Sequence, residues 1–262
     1  MLYTWDGDNR RRIFTPRRFA TLMPIPASDL LHYIFSNTRL PLAVQFSEWL
    51  QAPRFRVFAE NNRDKIRKKV RGIAEAEGYR DLQAELATAY FLLLERRFLV
   101  EYEKYGVGKQ RGPDFSVTYK THIRFDVEVT RLRGGQAGVA SEPGKLANTL
   151  CVKLKQLPPS IINILVLAAD DSLHIDNDPS AGSGHDLESG LLRAVTLLQE
   201  RAERKDDEFF TRRGFLGSRD FLKHYSRLSA IRLVTPDAPP ILRLQTQARH
   251  PLPPDLATIM RR

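Results

Sequence analysis

Apolar side chains return at three- and four-residue steps between Asp81 and Arg97, at Leu82, Leu86, Ala89, Tyr90, Leu93 and Leu94, which places them on one face of a helix. Beyond Phe98 the period changes. Phe98 to Tyr105 reads as a strand, and the segments Asp114 to Tyr119 and Ile123 to Thr130 alternate around Lys120-Thr121-His122 in the manner of a β-hairpin. A helix is predicted from about Lys145 to Leu157, with Leu146, Leu150, Leu154 and Leu157 as its buried stripe. The run Ile161 to Ala168 is short and rich in branched residues, which suits a strand covered on both faces. Helical patterns at about 187–204 and 206–225 and strands at about 228–235 and 240–246 complete the chain.

Ahead of these elements, residues 1 to about 80 carry helical patterns punctuated by Pro16, Pro24, Pro26, Pro41 and Pro53, with a basic run from Arg63 to Arg71. The expected organisation is therefore a helical region over 1–80 and an α/β domain over 81–262. The order helix, three strands, helix, strand predicts a mixed sheet flanked by helices. The basic run fits either phosphate contacts or an ordinary solvated helix face.

The hairpin register follows from the alternation. With Tyr119 opposite Ile123, Val117 faces Phe125, Phe115 faces Val127 and Asp114 faces Glu128, so apolar residues meet apolar residues. The other face then holds Asp114, Ser116 and Thr118 against Arg124, Asp126, Glu128 and Thr130. Two carboxylates opposed across a hairpin repel by roughly 0.2–1 kcal/mol, more where water is excluded. A hard divalent cation compensates directly, because Mg²⁺ takes oxygen ligands and often uses only one or two protein carboxylates. A plainer reading has Asp114 capping the turn at Pro113 and Glu128 pairing with Arg124 or Arg131 on a solvated sheet face.

Composition sharpens the choice of partner. The chain has 262 residues, with 41 Lys and Arg against 31 Asp and Glu, a formal charge of +10, which favours a polyanion unless the excess serves solubility alone. Cys151 is the single cysteine, which rules out an intrachain disulfide and a Cys-rich zinc site and leads to the expectation of a reducing, cytoplasmic location. The longest apolar run, Ile161 to Ala169, is interrupted by Asn163 and too short to span a bilayer, so no membrane partner is expected.

Gly112-Pro113-Asp114-Phe115 followed by Asp126-Val127-Glu128-Val129-Thr130 resembles the PD-(D/E)xK nuclease superfamily, the restriction-endonuclease-like fold, over about residues 81–170. The resemblance implies an αβββαβ core and a nuclease, in defence or repair, that hydrolyses phosphodiester bonds with Mg²⁺ or Mn²⁺. It implies that Asp114, Glu128 and the Val129 carbonyl hold the metal and that Glu85, on the preceding helix, contacts it through water. Glu85 equally suits a solvated glutamate near a helix start, and Glu95 and Glu103 are weaker alternates. Nucleic acid, DNA foremost, is the implied partner, with a homodimer left open. The sequence departs from the family pattern at the motif lysine, where Thr130 stands, and a hydroxyl supplies no positive charge. Members of the superfamily carry this lysine on other elements, and Cys151-Val152-Lys153-Leu154-Lys155-Gln156-Leu157 resembles the Lys-and-Gln helix of some of them. On that resemblance Lys153 replaces the lysine, while Gln156, Thr130 and Arg131 shape the site or touch substrate. The rival expectation is a nucleic-acid-binding or structural protein that has the fold and lacks the activity.

Other chemistries find no support. His32, His122, His174, His185, His224 and His250 are scattered without an HExxH spacing, and neither GxSxG nor GxxxxGK[ST] occurs. The glycines from Gly106 to Gly112 precede a proline and a strand, so they are not a dinucleotide fingerprint. Asp176-Asn177-Asp178 begins like a calcium loop and is broken by Pro179.

Overall fold

The computed structural model describes residues 25–104, 112–132, 143–169, 183–236 and 238–262. Gly106 and Gly108, the Arg133–Gln136 segment and the Asp176–Asp178 stretch lie outside the described residues. Four short helices open the described chain: α1 (Ala27–Ile34), α2 (Pro41–Trp49), α3 (Pro53–Asn61) and α4 (Arg63–Gly72). Pro41 and Pro53 punctuate the sequence because each begins a helix, where a missing N–H costs nothing and the fixed φ is already helical. Helix α5 (Ala76–Leu94) starts at Ala76 rather than Asp81, and of its expected stripe Leu94 instead faces outward, 59% exposed.

Among the described residues six strands lie side by side in chain order: β1 (Phe98–Tyr102), β2 (Phe115–Tyr119), β3 (Ile123–Leu132), β4 (Ile162–Ala169), β5 (Leu228–Thr235) and β6 (Ala238–Leu244). The β1–β2, β2–β3 and β5–β6 pairs are antiparallel, and β3–β4 and β4–β5 are parallel, so the sheet is mixed and open and the fold is α/β. The hairpin register has Tyr119 opposite Ile123, Val117 opposite Phe125 and Phe115 opposite Val127, as the alternation predicts. Strand β1 stops at Tyr102, short of Tyr105, where Glu103 turns to a φ of 45°. Pro239 and Pro240 sit in β6, an edge strand, where a missing ladder donor is tolerated.

Helices cover both faces. On one side α1 to α5 and α10 (Pro254–Met260) pack with Phe115, Val117, Tyr119, Phe125, Val127 and Val129 into a single aromatic-rich core, so the N-terminal helices share their interior with the sheet. On the other side α6 (Pro143–Leu154), α7 (Ser183–Glu203), α8 (Asp207–Thr211) and α9 (Ser218–Tyr225) enclose Leu165, Leu167, Ile231 and Leu233. The expected helix at 206–225 is two helices. Asp206 caps α8 by accepting the Phe209 N–H, and Gly214 and Gly217, at φ of 78° and 148°, turn the chain before α9. The leucine stripe Leu146, Leu150 and Leu154 is buried beneath α6, with Leu157 just beyond the helix end.

Arg232 of β5 is buried with its guanidinium 3.9 Å from the Phe91 ring and its Nε donating to the Met260 carbonyl at 2.9 Å, and burial alone lowers its pKa to about 10. Among the described residues no helix is long and apolar enough to cross a membrane.

Candidate active site

Strand pleating and the end of β2 build the site. Successive β3 residues face opposite sides, so Phe125, Val127 and Val129 enter the aromatic core while Asp126 and Glu128 face the α6 side. This polar face is covered rather than solvated: Ser116, Asp126 and Glu128 are all buried. The Ser116 hydroxyl donates to Asp126 Oδ1 at 2.7 Å, and burial raises the pKa of that carboxyl.

Asp114 stands just before β2, where the ladder between β2 and β3 has run out. Its Oδ2 accepts the Val129 N–H at 2.7 Å, replacing the strand partner that β2 no longer provides. A strand residue directs its N–H and C=O toward the same neighbour, so the Val129 carbonyl points to the same gap. Asp114 therefore closes the end of the β3 ladder, in place of the expected cap at Pro113.

Glu128 pairs with neither Arg124 nor Arg131 in the way the plainer reading requires. Its Oε1 accepts from Lys153 Nζ at 2.7 Å, a pair in which the side chains are 6% and 15% exposed. Arg131 points to the α5 side, where Asp81 takes its Nε at 2.8 Å and Glu77 takes a terminal nitrogen. Burial first, and the neighbouring Glu128 second, push the Asp114 pKa up to about 6, against the opposing effects of the Val129 N–H and Lys153. A carboxylate pair sharing one near ammonium thus retains repulsion. Among the described residues, Asp114 Oδ1 and Glu128 Oε2 have no hydrogen-bond partner.

Glu85 enters from the middle of α5. Lys69 of α4 holds it at 2.5 Å and also reaches Glu103 at 2.7 Å, with its nitrogen 4.9 Å from the Tyr102 ring centre. Burial raises the Glu85 pKa, Lys69 opposes the rise and Asp114 adds to it, so the two carboxylates sense one another. Nothing in the spacing of the basic run singled out Lys69. Its signal is Ile66 and Val70, four apart and both buried, which turn the adjacent Lys65 and Lys69 toward the protein.

The basic run divides by role. Lys65 bonds the Tyr102 carbonyl at 2.7 Å, Arg63 and Arg67 lie over the Tyr33 ring at 5.6 and 4.1 Å, and Lys68 and Arg71 are exposed.

A cavity of about 290 Å³ gathers Glu85, Asp114, Val129, Thr130, Arg131 and Lys153, together with Asp81. Gln156 lies past the end of α6, exposed, and does not line it. Glu95 pairs with Arg97 at 2.7 Å instead, and Glu103 reaches the site only through Lys69. Cys151 is buried, and burial lifts its thiol to about 11, which suits packing rather than nucleophilic chemistry.

No group of three His, Cys, Asp or Glu side chains among the described residues is arranged to hold a metal ion. What is present is an all-oxygen set: two carboxylates with one open oxygen each and the adjacent Val129 carbonyl. That donor chemistry suits a hard cation that retains much of its water, as Mg²⁺ does, and not zinc. Compared with protein-family models, with curated proteins and with solved structures, the chain matches none.

Proposed function

We propose that the protein is a divalent-metal-dependent nuclease with a divergent restriction-endonuclease-like site. The observation that carries this reading is Lys153, whose ammonium reaches Glu128 at 2.7 Å and lines the same cavity as Asp114. The positive charge missing at Thr130 is thereby supplied from α6.

Asp114 and Glu128, with the Val129 carbonyl, would hold Mg²⁺ or Mn²⁺. Bound there, the ion would polarise a phosphate and acidify water. The remaining work falls to the chain. Lys153 places a desolvated ammonium where charge grows on a phosphodiester during attack, and desolvation strengthens that interaction. Glu128 fixes the rotamer of Lys153, and the Val129 N–H fixes that of Asp114, so neither group needs to reorganise on binding. The net charge of +10 favours a polyanionic substrate, DNA being the first candidate.

The test is cleavage of plasmid, linear duplex, single-stranded DNA and RNA with Mg²⁺ or Mn²⁺. EDTA and Asp114→Ala should each abolish it, and cleavage indifferent to Asp114→Ala would sink the assignment. Thr130 at the motif position favours one alternative, a protein that binds nucleic acid without cutting it. Salt-sensitive binding with no turnover on any of these substrates would select it.

A further inference from the structure

Helix α5 lines two cavities. Asp81 and Glu85 face the carboxylate cavity, while Gln83, Ala84 and Ala87, on the adjoining flank, face a second space of about 510 Å³. Arg131 lines both and forms the partition between them. The second cavity opens at the carboxyl ends of β4 and β5, next to the end of β3 where the first one lies. Ligands of open α/β sheets bind outside such strand ends.

Its chemistry is specific. Ala84 and Ala87 from α5 and Ala168 and Ala169 from β4 line it with methyl groups, beside the longer polar side chains of Arg80, Arg131, Gln45 and Gln83. At the edge, Gln83 Nε2 donates to Gln45 Oε1 of α2 at 2.6 Å. This bond uses one amide N–H and one carbonyl lone pair. It leaves the Gln83 oxygen and the Gln45 amide nitrogen without partners among the described residues. Whichever amide donates, a further acceptor and a further donor remain on this pair of side chains. A pocket of this size, part methyl-lined and part polar, suits a small organic group. A donor and an acceptor at its edge are the groups that a nucleobase edge can use.

We propose that this second cavity takes one unstacked base of the nucleic-acid strand whose phosphodiester lies over Asp114 and Glu128. The inference rests on the nuclease reading and adds to it. The substrate is held as a single strand, or as a duplex with one nucleotide turned out, and the base is read by Gln45 and Gln83.

The test uses a short single-stranded oligodeoxynucleotide carrying one 2-aminopurine, titrated with the full chain in EDTA so that binding is read without cleavage. Fluorescence polarisation follows binding, and the 2-aminopurine emission reports unstacking. The expected result is a rise in emission with wild-type protein. Ala87→Phe, which fills the cavity, should weaken the emission-linked binding about tenfold or more. Gln83→Ala, which leaves the apolar space intact, should weaken it roughly three- to tenfold through the lost polar contact. Circular dichroism melts check that each variant is folded.

Binding by polarisation without any emission rise, or an emission rise unchanged in both folded cavity variants, overturns the proposal. The nuclease reading fails separately. Cavity-dependent burial of the labelled base with no metal-dependent cleavage leaves the second cavity standing and removes the nuclease, whereas Asp114-dependent cleavage unaffected by both cavity variants does the reverse.

Discussion

Two glutamate–lysine pairs flank Asp114, one from each helical layer. Glu128 and Lys153 join β3 to α6, and Glu85 and Lys69 join α5 to α4. The lysines differ in what else they touch. Lys69 is shared between Glu85 and Glu103 and lies against the Tyr102 ring, so its charge is spent on holding three elements together. Burial works against that charge, yet the two glutamates outweigh it and raise the Lys69 pKa. Lys153 has one carboxylate partner and lines the cavity that contains Asp114. Proximity to the carboxylates is common to both lysines, but spare charge belongs to Lys153.

The largest expected effect tests this distinction directly. Lys153→Ala should slow single-turnover cleavage roughly 100- to 1,000-fold, the usual loss when a preorganised charge-stabilising group is removed. Lys69→Ala should stay within about tenfold. Equal losses would mean that the two pairs are functionally alike.

Next in size is a stability effect of the opposite sign. The Asp114 pKa is raised from 3.8 to about 6, so its ionised form is less stable in the fold than in the unfolded chain. Between about pH 4 and 6 the folded state binds more protons, and stability falls as pH rises through that window. Asp114→Asn, measured by urea unfolding in EDTA, should therefore be more stable than wild type above pH 6, on the order of 2–3 kcal/mol at ~1.4 kcal/mol per pKa unit. The gain should vanish below about pH 4. An inactive variant without that gain would show that the carboxylate pair is not mutually repelled.

A smaller destabilisation is expected at the other pair. Lys69→Met leaves Glu85 buried without its ammonium and should cost about 1–3 kcal/mol at neutral pH. Adding Glu85→Gln should restore part of that loss, and a double-mutant cycle with no coupling would contradict the clamp. Last come the outward residues of the same helix. Lys68→Gln and Arg71→Gln should each lower the salt dependence of nucleic-acid binding by about one in log–log slope if they meet phosphates, without changing the fold.

Much of this architecture is visible along the chain because local period fixes it. The alternation from Phe115 to Tyr119 and from Ile123 to Val129 admits one register, since a slip of one residue would send Phe115, Val117 and Phe125 out of the core. Lys153 is suggested by the resemblance of the Cys151–Leu157 segment to a Lys-and-Gln helix and not by local period. The start of α5 is harder to read because Glu77, Gly78 and Arg80 carry no apolar period. The break between α8 and α9 depends on two glycine backbones that sequence pattern passes over. Lys69 and Glu85 belong to different helices, and the four alanines of the second cavity come from α5 and β4. Such groupings arise from packing between distant segments and leave no local trace.

The Arg232 contact with Met260 has a consequence for the order of folding. The aromatic core that encloses Phe35 and Phe46 near one end of the chain also contains Leu252, Leu256 and Met260 near the other, and Arg232 has its carbonyl partner only once α10 is in place. Until α10 docks, Arg232 has the Phe91 ring but not that carbonyl, and the core lacks its Leu252–Met260 side chains. Contacts of such long sequence separation form slowly, so docking of α10 is a late step in closing the fold.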